Sequence, residues 1–269
     1  MLYLVATPIG NLGDFSPRAR EVLESVDLVA CEDTRTSRQL FSLLGVQVKA
    51  TTAYHDFNEE KATVSLIQKL RGGMDIALVS DAGMPLVSDP GYRLVKACHE
   101  NNIPVTSIPG ANAVLTALQL SGLPTDKFYF GGFLPPKSSA RQHTLKVVEN
   151  LPSTLIFYET ARRLKEALTD IEKVLGNRPM ALVRELTKKF EEVKCGTPTE
   201  LNNFYTEAPK GEIVLVISGA EGKETKMPHI SIKDLRKNLS AKDTAFVWAL
   251  VTGNSKKEAY DEVLEADKL

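Results

Sequence analysis

Short apolar runs alternate along the chain with stretches whose apolar residues recur every three or four positions. In the first half this pattern predicts strands at residues 2–6, 27–31, 48–54, 76–80 and 104–108. Between them it predicts helices at 17–25, 34–44, 59–71, 91–101 and 111–120. Ser16 ahead of Pro17 supplies a helix start, and Gly45 and Gly72-Gly73 supply stops. Strands regularly separated by crossover helices point to a largely parallel sheet.

The segment 125–136 (TDKFYFGGFLPP) is rich in Gly, Pro and aromatics and reads as the passage into a second unit. There the pattern gives a strand at 154–158, a helix at 162–175, a strand at 180–184 and a hairpin strand at 190–195. A helix at 198–204 and a strand at 212–217 follow, and 219–228 reads as a linker. Ser240 with Asp243 and Ser255 with Glu258 are capping-box pairs that open two tail helices, 241–252 and 256–266. Gly253-Asn254 joins them in a helix-turn-helix shape. The expected fold class is α/β: two α/β domains, 1–115 and 116–221, and a small helical tail, 222–269.

A length of 269 residues agrees with about two domains. Hydrophobic residues at 43% and charged residues at 25% exclude a disordered chain. No apolar run is long enough to cross a bilayer, and the opening MLYLVATPIG carries no basic stretch of the kind that begins a signal peptide. The three cysteines, Cys31, Cys98 and Cys195, form no paired motif, which fits a reducing cytoplasm. Net charge is −1, yet residues 1–133 hold 11 Lys/Arg against 14 Asp/Glu, whereas 134–194 hold 12 against 8. Such a local basic region attracts phosphate regardless of total charge.

In an open parallel sheet, ligands bind beyond the carboxyl ends of the strands. The loops there are unusually rich: TPIGNLGD after the first strand, EDTR after the second, HDFNE after the third, DAGMP and SDPG after the fourth, PGAN after the fifth. The connections at the opposite edge are plainer. GxGxxG, the P-loop, HExxH and GxSxG are all missing, and the four histidines are scattered, so no metal site is expected. What remains is a glycine-rich cleft that suits a cofactor held by main-chain groups.

LVATPIGNLGD, ACEDTRTS, YHDFNE, LVSDAGMPLVSDPG and SIPGANA, in this order, resemble the tetrapyrrole-methylase-fold family of S-adenosylmethionine enzymes. The resemblance is closest to its ribosomal branch, which methylates a cytidine 2′-oxygen of 16S rRNA in the decoding centre. GGFLPPKSSAR, FYETARR and the helical tail agree with that branch, so the likeness spans essentially the whole chain. Porphyrin-precursor methylases carry a G-x-G-P-G-D first loop, which the wider Thr7–Asp14 loop here replaces; this argues against a tetrapyrrole substrate. The resemblance implies a cofactor cleft between two α/β domains, a homodimer and the small ribosomal subunit as partner. Two other readings are a tetrapyrrole-precursor C-methyltransferase and a non-catalytic RNA-binding module on the same fold.

For the cofactor, the resemblance implies contacts from Pro8, Gly10, Asp81, Ala82, Gly83, Met84, Pro109, Gly110 and Ala111, closed by Tyr158, Arg184 and Ile213 from the second domain. A ribose hydroxyl is a poor nucleophile and needs a nearby proton acceptor; Glu32, Asp33, His55 and Glu59 are the candidates on the ligand edge. Phosphate contacts are expected from Arg35, which also has Glu32 and Asp33 as potential partners, and from the loops bearing Lys137, Arg141, Arg162, Arg163, Lys188 and Lys189.

Overall fold

A computed structural model describes residues 1–220 and 231–266. Residues 1–220 form one compact unit and the chain from 221 a second; most of the expected linker, 219–228, lies outside the described residues.

The first sheet contains β1 (Leu2–Val5), β2 (Leu28–Cys31), β3 (Thr51–Ala53), β4 (Ile76–Val79) and β5 (Val105–Ile108) in the order β3-β2-β4-β1-β5. Every pairing in it is parallel, so all five carboxyl ends share one edge. The crossovers are α1 (Pro17–Ser25), α2 (Thr34–Leu44), α3 (Glu59–Arg71) and α4 (Tyr92–Glu100). Three of these match the sequence pattern residue for residue because their ends are signalled locally. Ser16 accepts from the Ala19 N–H, Asp33 accepts from the Arg35 N–H, and Gly45 closes α2 in the left-handed region. β2 and β4 are buried on both faces, between one cluster around Leu66, Leu70 and Leu94 and another around Leu23, Phe41 and Val46.

Helix α5 (Ala113–Leu120) starts two residues later than the apolar pattern suggests, because the Asn112 side chain caps it. Val114, Ala117 and Leu118 pack on Ile156, Val183 and Val216 of the second sheet. The chain therefore crosses from the first sheet to the second in the 109–112 loop.

The second sheet is β6 (Phe128–Phe133), β7 (Thr154–Thr160), β8 (Met180–Arg184), β9 (Glu192–Gly196) and β10 (Glu212–Ile217), ordered β6-β7-β10-β8-β9. Only β6 and β7 run parallel; the other three pairings are antiparallel, and β8 with β9 forms the hairpin expected at 190–195. A strand sits inside the segment read as a passage, broken by a bulge at Gly131-Gly132. A Cβ on Gly131 would lie 2.2 Å from the Phe157 ring, so glycine is required there. Helix α6 (Ser138–Val148), which the polar sequence hid, packs with α7 (Leu164–Leu175), and α8 (Pro198–Phe204) follows β9.

The second unit is described by itself: α9 (Ile232–Arg236), α10 (Ala241–Thr252) and α11 (Lys256–Ala266). Gly253 turns the chain in the left-handed region, and the Trp248 Nε1–H donates to Glu262 at 2.6 Å across the α10–α11 hairpin. Ser255 and Glu258 make both bonds of a capping box, whereas Ser240 accepts from the Asp243 N–H without the return bond to its own N–H.

Candidate active site

Residues beyond β1 and β4 meet first. The Thr7 N–H donates to the Gly83 carbonyl at 2.9 Å and the Gly83 N–H donates back at 3.1 Å, so the two loops are stitched into one rim. Gly83 has φ +82°, and a Cβ there would press on Ile9 at 3.2 Å. Gly110, beyond β5, packs so closely on Ala6 that a Cβ would stand 2.8 Å away. Against this rim the second sheet presents Tyr158. Ile9, Ala82, Gly83, Met84, Val87, Asn112, Ala113 and Tyr158 together line a narrow cleft.

The far side of the cleft is fixed by loop 185–188. The Asn11 N–H donates to Thr187 Oγ1 at 3.0 Å, and a Cβ on Gly10 would meet Lys188 at 2.6 Å and Thr187 at 2.7 Å. Glu185 and Thr187 have φ of 51° and 63°, and Leu86 and Ser88 on the facing loop have 73° and 67°. Left-handed backbone in residues other than glycine costs energy and gathers where a site over-determines geometry. Leu86 and Ser88 flank the lining residue Val87, and Thr187 bonds to the loop that carries Ile9.

Beside the cleft stands a group of carboxylates. The Asp81 N–H reaches Glu32 at 3.5 Å and the Asp33 N–H reaches Asp81 at 3.2 Å. Burial, then repulsion from Asp81, Asp56 and Asp33, raises Glu32 above the usual carboxylate range, although the Asp81 N–H opposes the rise. Asp81 is raised by burial and, less, by the charge of Asp33, against a lowering bond from the Asp33 N–H. Asp89 is pushed up to about 7 by burial and by the charges of Glu32, Asp81 and Asp56, against a lowering bond from Ser80. Its charge also contributes, after burial, to lifting the Tyr158 phenol to about 12, which links this group to the cleft wall.

The structure sorts the expected residues. Ala82, Gly83, Met84 and Tyr158 line the cleft, and Asp81 adjoins it. Pro8 is buried, Pro109 and Gly110 are exposed on the rim, and the Ala111 carbonyl faces Gly83. Arg184 and Ile213 direct their side chains elsewhere. Successive strand side chains alternate faces, and Ile213 joins the cluster of Phe157 and Leu182, on the opposite face from Tyr158 and Val214. Arg184 lies opposite Ile213 and binds Glu192 at 2.5 Å. Neither side chain enters the cleft.

Among the acid–base candidates, Glu59 is fully engaged. Its Oε1 accepts from the Tyr54 hydroxyl at 3.1 Å and from the Gly91 and Arg93 N–H groups, and its Oε2 pairs with Arg93 at 3.2 Å. It ties the β3–α3 connection to the start of α4 and is a positioning residue. Asp33 caps α2. The Nδ1 atom of His55 is buried without a hydrogen-bond partner, while the backbone N–H of His55 donates to Asn58 at 2.9 Å.

The basic set divides as well. Arg35, Lys137, Arg162 and Lys189 are exposed. Arg141 lies on α6 rather than on a loop, is fully buried, and pairs with Asp170 at 2.7 Å. Arg163 is held by buried Glu159, and Lys188 bridges Glu185 and Glu212. Sequence reasoning missed Asp89 and the wall residues Ile9, Val87, Asn112 and Ala113. The Asp89 loop was legible as a loop, but its strain at Leu86 and Ser88 carries no residue signature.

This arrangement is a two-sheet α/β fold with a ligand cleft beyond the strand ends of the first sheet, and comparison with known proteins gives its class. The profile of the family described as Tetrapyrrole (Corrin/Porphyrin) Methylases matches residues 1–202. The chain belongs to that family. It is 48% identical to a Mesorhizobium japonicum protein named Ribosomal RNA small subunit methyltransferase I, over 98% of this chain and 91% of the relative. The protein of that name from Escherichia coli O157:H7 is 44% identical over 98% of this chain and 94% of its own. Among solved structures, a uroporphyrin-III C-methyl transferase from Thermus thermophilus, complexed with S-adenyl homocysteine, superposes with a TM-score of 0.54 at 18% identity. That match covers 80% of this chain and 96% of the other. No helix among the described residues is long and apolar enough to cross a membrane.

Proposed function

We propose that this protein uses S-adenosylmethionine to methylate the 2′-oxygen of a decoding-centre cytidine in 16S rRNA, working on the small ribosomal subunit in the cytoplasm. The observation that carries the reading is the cleft itself: a rim of close-packed main chain beside carboxylates that burial has made costly to ionise. The fit to the cofactor rests on this donor set. Gly83 and Gly110 let main chain approach where a Cβ would collide with Ile9 or Ala6. Carboxylates starved of solvent favour the cationic sulfonium and ammonium groups of that molecule.

When bound, the cofactor supplies an electrophilic methyl group for in-line displacement. The protein's part is alignment, exclusion of water and the fate of one proton. Loops 7–13 and 81–85 would hold the amino-acid and adenosine parts, with Tyr158 closing the cleft. Glu32 would accept the proton that the ribose hydroxyl gives up in that displacement. Its elevated pKa supports that role, because a carboxylate drawn toward neutrality is a better base. His55, with Nδ1 unbonded, is the other group able to accept it. The exposed Arg35, Lys137, Arg162 and Lys189 serve as phosphate contacts. Homodimerisation is supported by edge strand β6, where Phe128 is 43% and Phe133 56% exposed.

The test is methyl transfer to small subunits from a strain lacking the modification, followed by nucleoside mass spectrometry. A ribose-methylated cytidine is expected. A base-methylated nucleoside overturns the proposal, as does the absence of transfer.

A further inference from the structure

Phe57 is 98% exposed, the highest value among the large apolar side chains of the described residues. A side chain so placed adds nothing to folding by burial. Its loop is nevertheless built firmly. The His55 N–H donates to Asn58 Oδ1 at 2.9 Å, the Asn58 N–H donates to the His55 carbonyl at 2.9 Å, and Asn58 Nδ2 donates to the Ala53 carbonyl at 3.1 Å. The ring stands edge-on to His55, with centroids 6.1 Å apart. The neighbouring Asp56 is close enough to the cleft for its charge to bear on Glu32 and Asp89. A groove of about 430 Å³ opens between α3 and α4, bordered by Glu60, Tyr92, Arg93 and Lys96. Tyr92 is 70% exposed.

We propose that Phe57 is a stacking platform for an unpaired base of the RNA substrate next to the nucleotide that is methylated. The inference rests on the reading above and adds a recognition element to it. A nucleotide drawn out of a stacked strand toward Glu32 leaves its neighbour without a stacking face. A solvated aromatic ring on the loop whose Asp56 charge reaches Glu32 offers that face to any base. Charge does not do this work here. Arg93 pairs with Glu59, Lys96 pairs with Glu100, and Glu60 lies on the same groove. The contribution of Phe57 is therefore independent of salt, unlike that of the basic residues.

The experiment compares wild type with Phe57→Ala, Phe57→Leu and Phe57→Trp in methyl transfer to small subunits. Phe57→Ala is expected to raise KM for the subunit about tenfold, with kcat and cofactor affinity within about twofold of wild type. The salt dependence of binding stays unchanged; Phe57→Trp restores KM and Phe57→Leu does not. In a Trp248→Phe background, subunits should quench the emission of the tryptophan at position 57. Wild-type KM in Phe57→Ala overturns the inference, as does equal rescue by leucine. A blue shift without quenching marks a protein contact and overturns it too. Inactivity of the wild-type enzyme would instead defeat the underlying reading, and this inference with it.

Discussion

The two sheets hold five strands each, yet nearly all the site chemistry belongs to the first. In the parallel sheet every carboxyl end points the same way, so five loops converge on one rim. Three of the four pairings in the second sheet are antiparallel, so successive loops emerge at opposite edges. It contributes Tyr158, the Gly10-packing loop 185–188, and Gly132, whose Cβ position is 3.6 Å from Ser88. One half therefore builds the chemistry while the other closes and braces it. Strain is shared across the seam, with Leu86 and Ser88 on one side and Glu185 and Thr187 on the other.

If the second half is a brace, breaking it internally should cost stability, whereas breaking the seam should cost activity. Arg141→Ala is the largest expected effect. It leaves Asp170 without its buried partner and should destabilise by about 3–5 kcal/mol, read by denaturant unfolding. Burial alone would raise Asp170, but bonds from Gln142, Arg141 and Ser138 outweigh it and hold the carboxyl low. An unchanged midpoint would show that the pair carries no structural weight. Gly10→Val is next. Its side chain would displace loop 185–188, and a misplacement of that kind costs on the order of a hundredfold in kcat/KM. Full activity in that variant would dissolve the idea of a shared seam.

Much of the first half was legible because its signals are local. Caps such as Ser16 and Asp33 and the stop at Gly45 mark helix ends within a few residues, and the parallel arrangement followed from alternation alone. The second half was read less well because its decisive facts are non-local. Helix α6 has a weakly apolar sequence and exists by packing on α7, so Arg141 looked like a surface cation. Arg184 and Ile213 were placed at the correct strand ends, but their face depends on pairing register, which no motif encodes. Asp89 lacks an individual signature because its character comes from neighbours distant in the chain, Glu32 and Asp56.

Asp89 provides a subtler test of where the chemistry is concentrated. Its pKa is raised from 3.8 to about 7. Between those values the folded chain keeps a proton that the unfolded chain has released, so this group makes stability fall as pH rises through the window. Ser80, Glu32, Asp81, Asp56 and Tyr158 all face it. Asp89→Asn should flatten the decline in Tm between about pH 4 and 7 while leaving the acid limit unchanged. A parallel decline in variant and wild type would move the origin of the slope elsewhere.

The smallest effect sharpens the division of labour on RNA. Arg162 and Lys189 are exposed on the second half, and the Lys189 ammonium sits 5.7 Å from the Phe190 ring centroid. If each meets one phosphate, Arg162→Ala and Lys189→Ala should each weaken subunit binding modestly and reduce the slope of log K against log salt by about 1. Cofactor binding should not change. Arg35→Ala on the first half is the control that can break the comparison. If it lowers the slope as much as the other two, phosphate is gripped from both sides of the cleft. The second half would then be one wall of an RNA channel rather than its sole electrostatic surface.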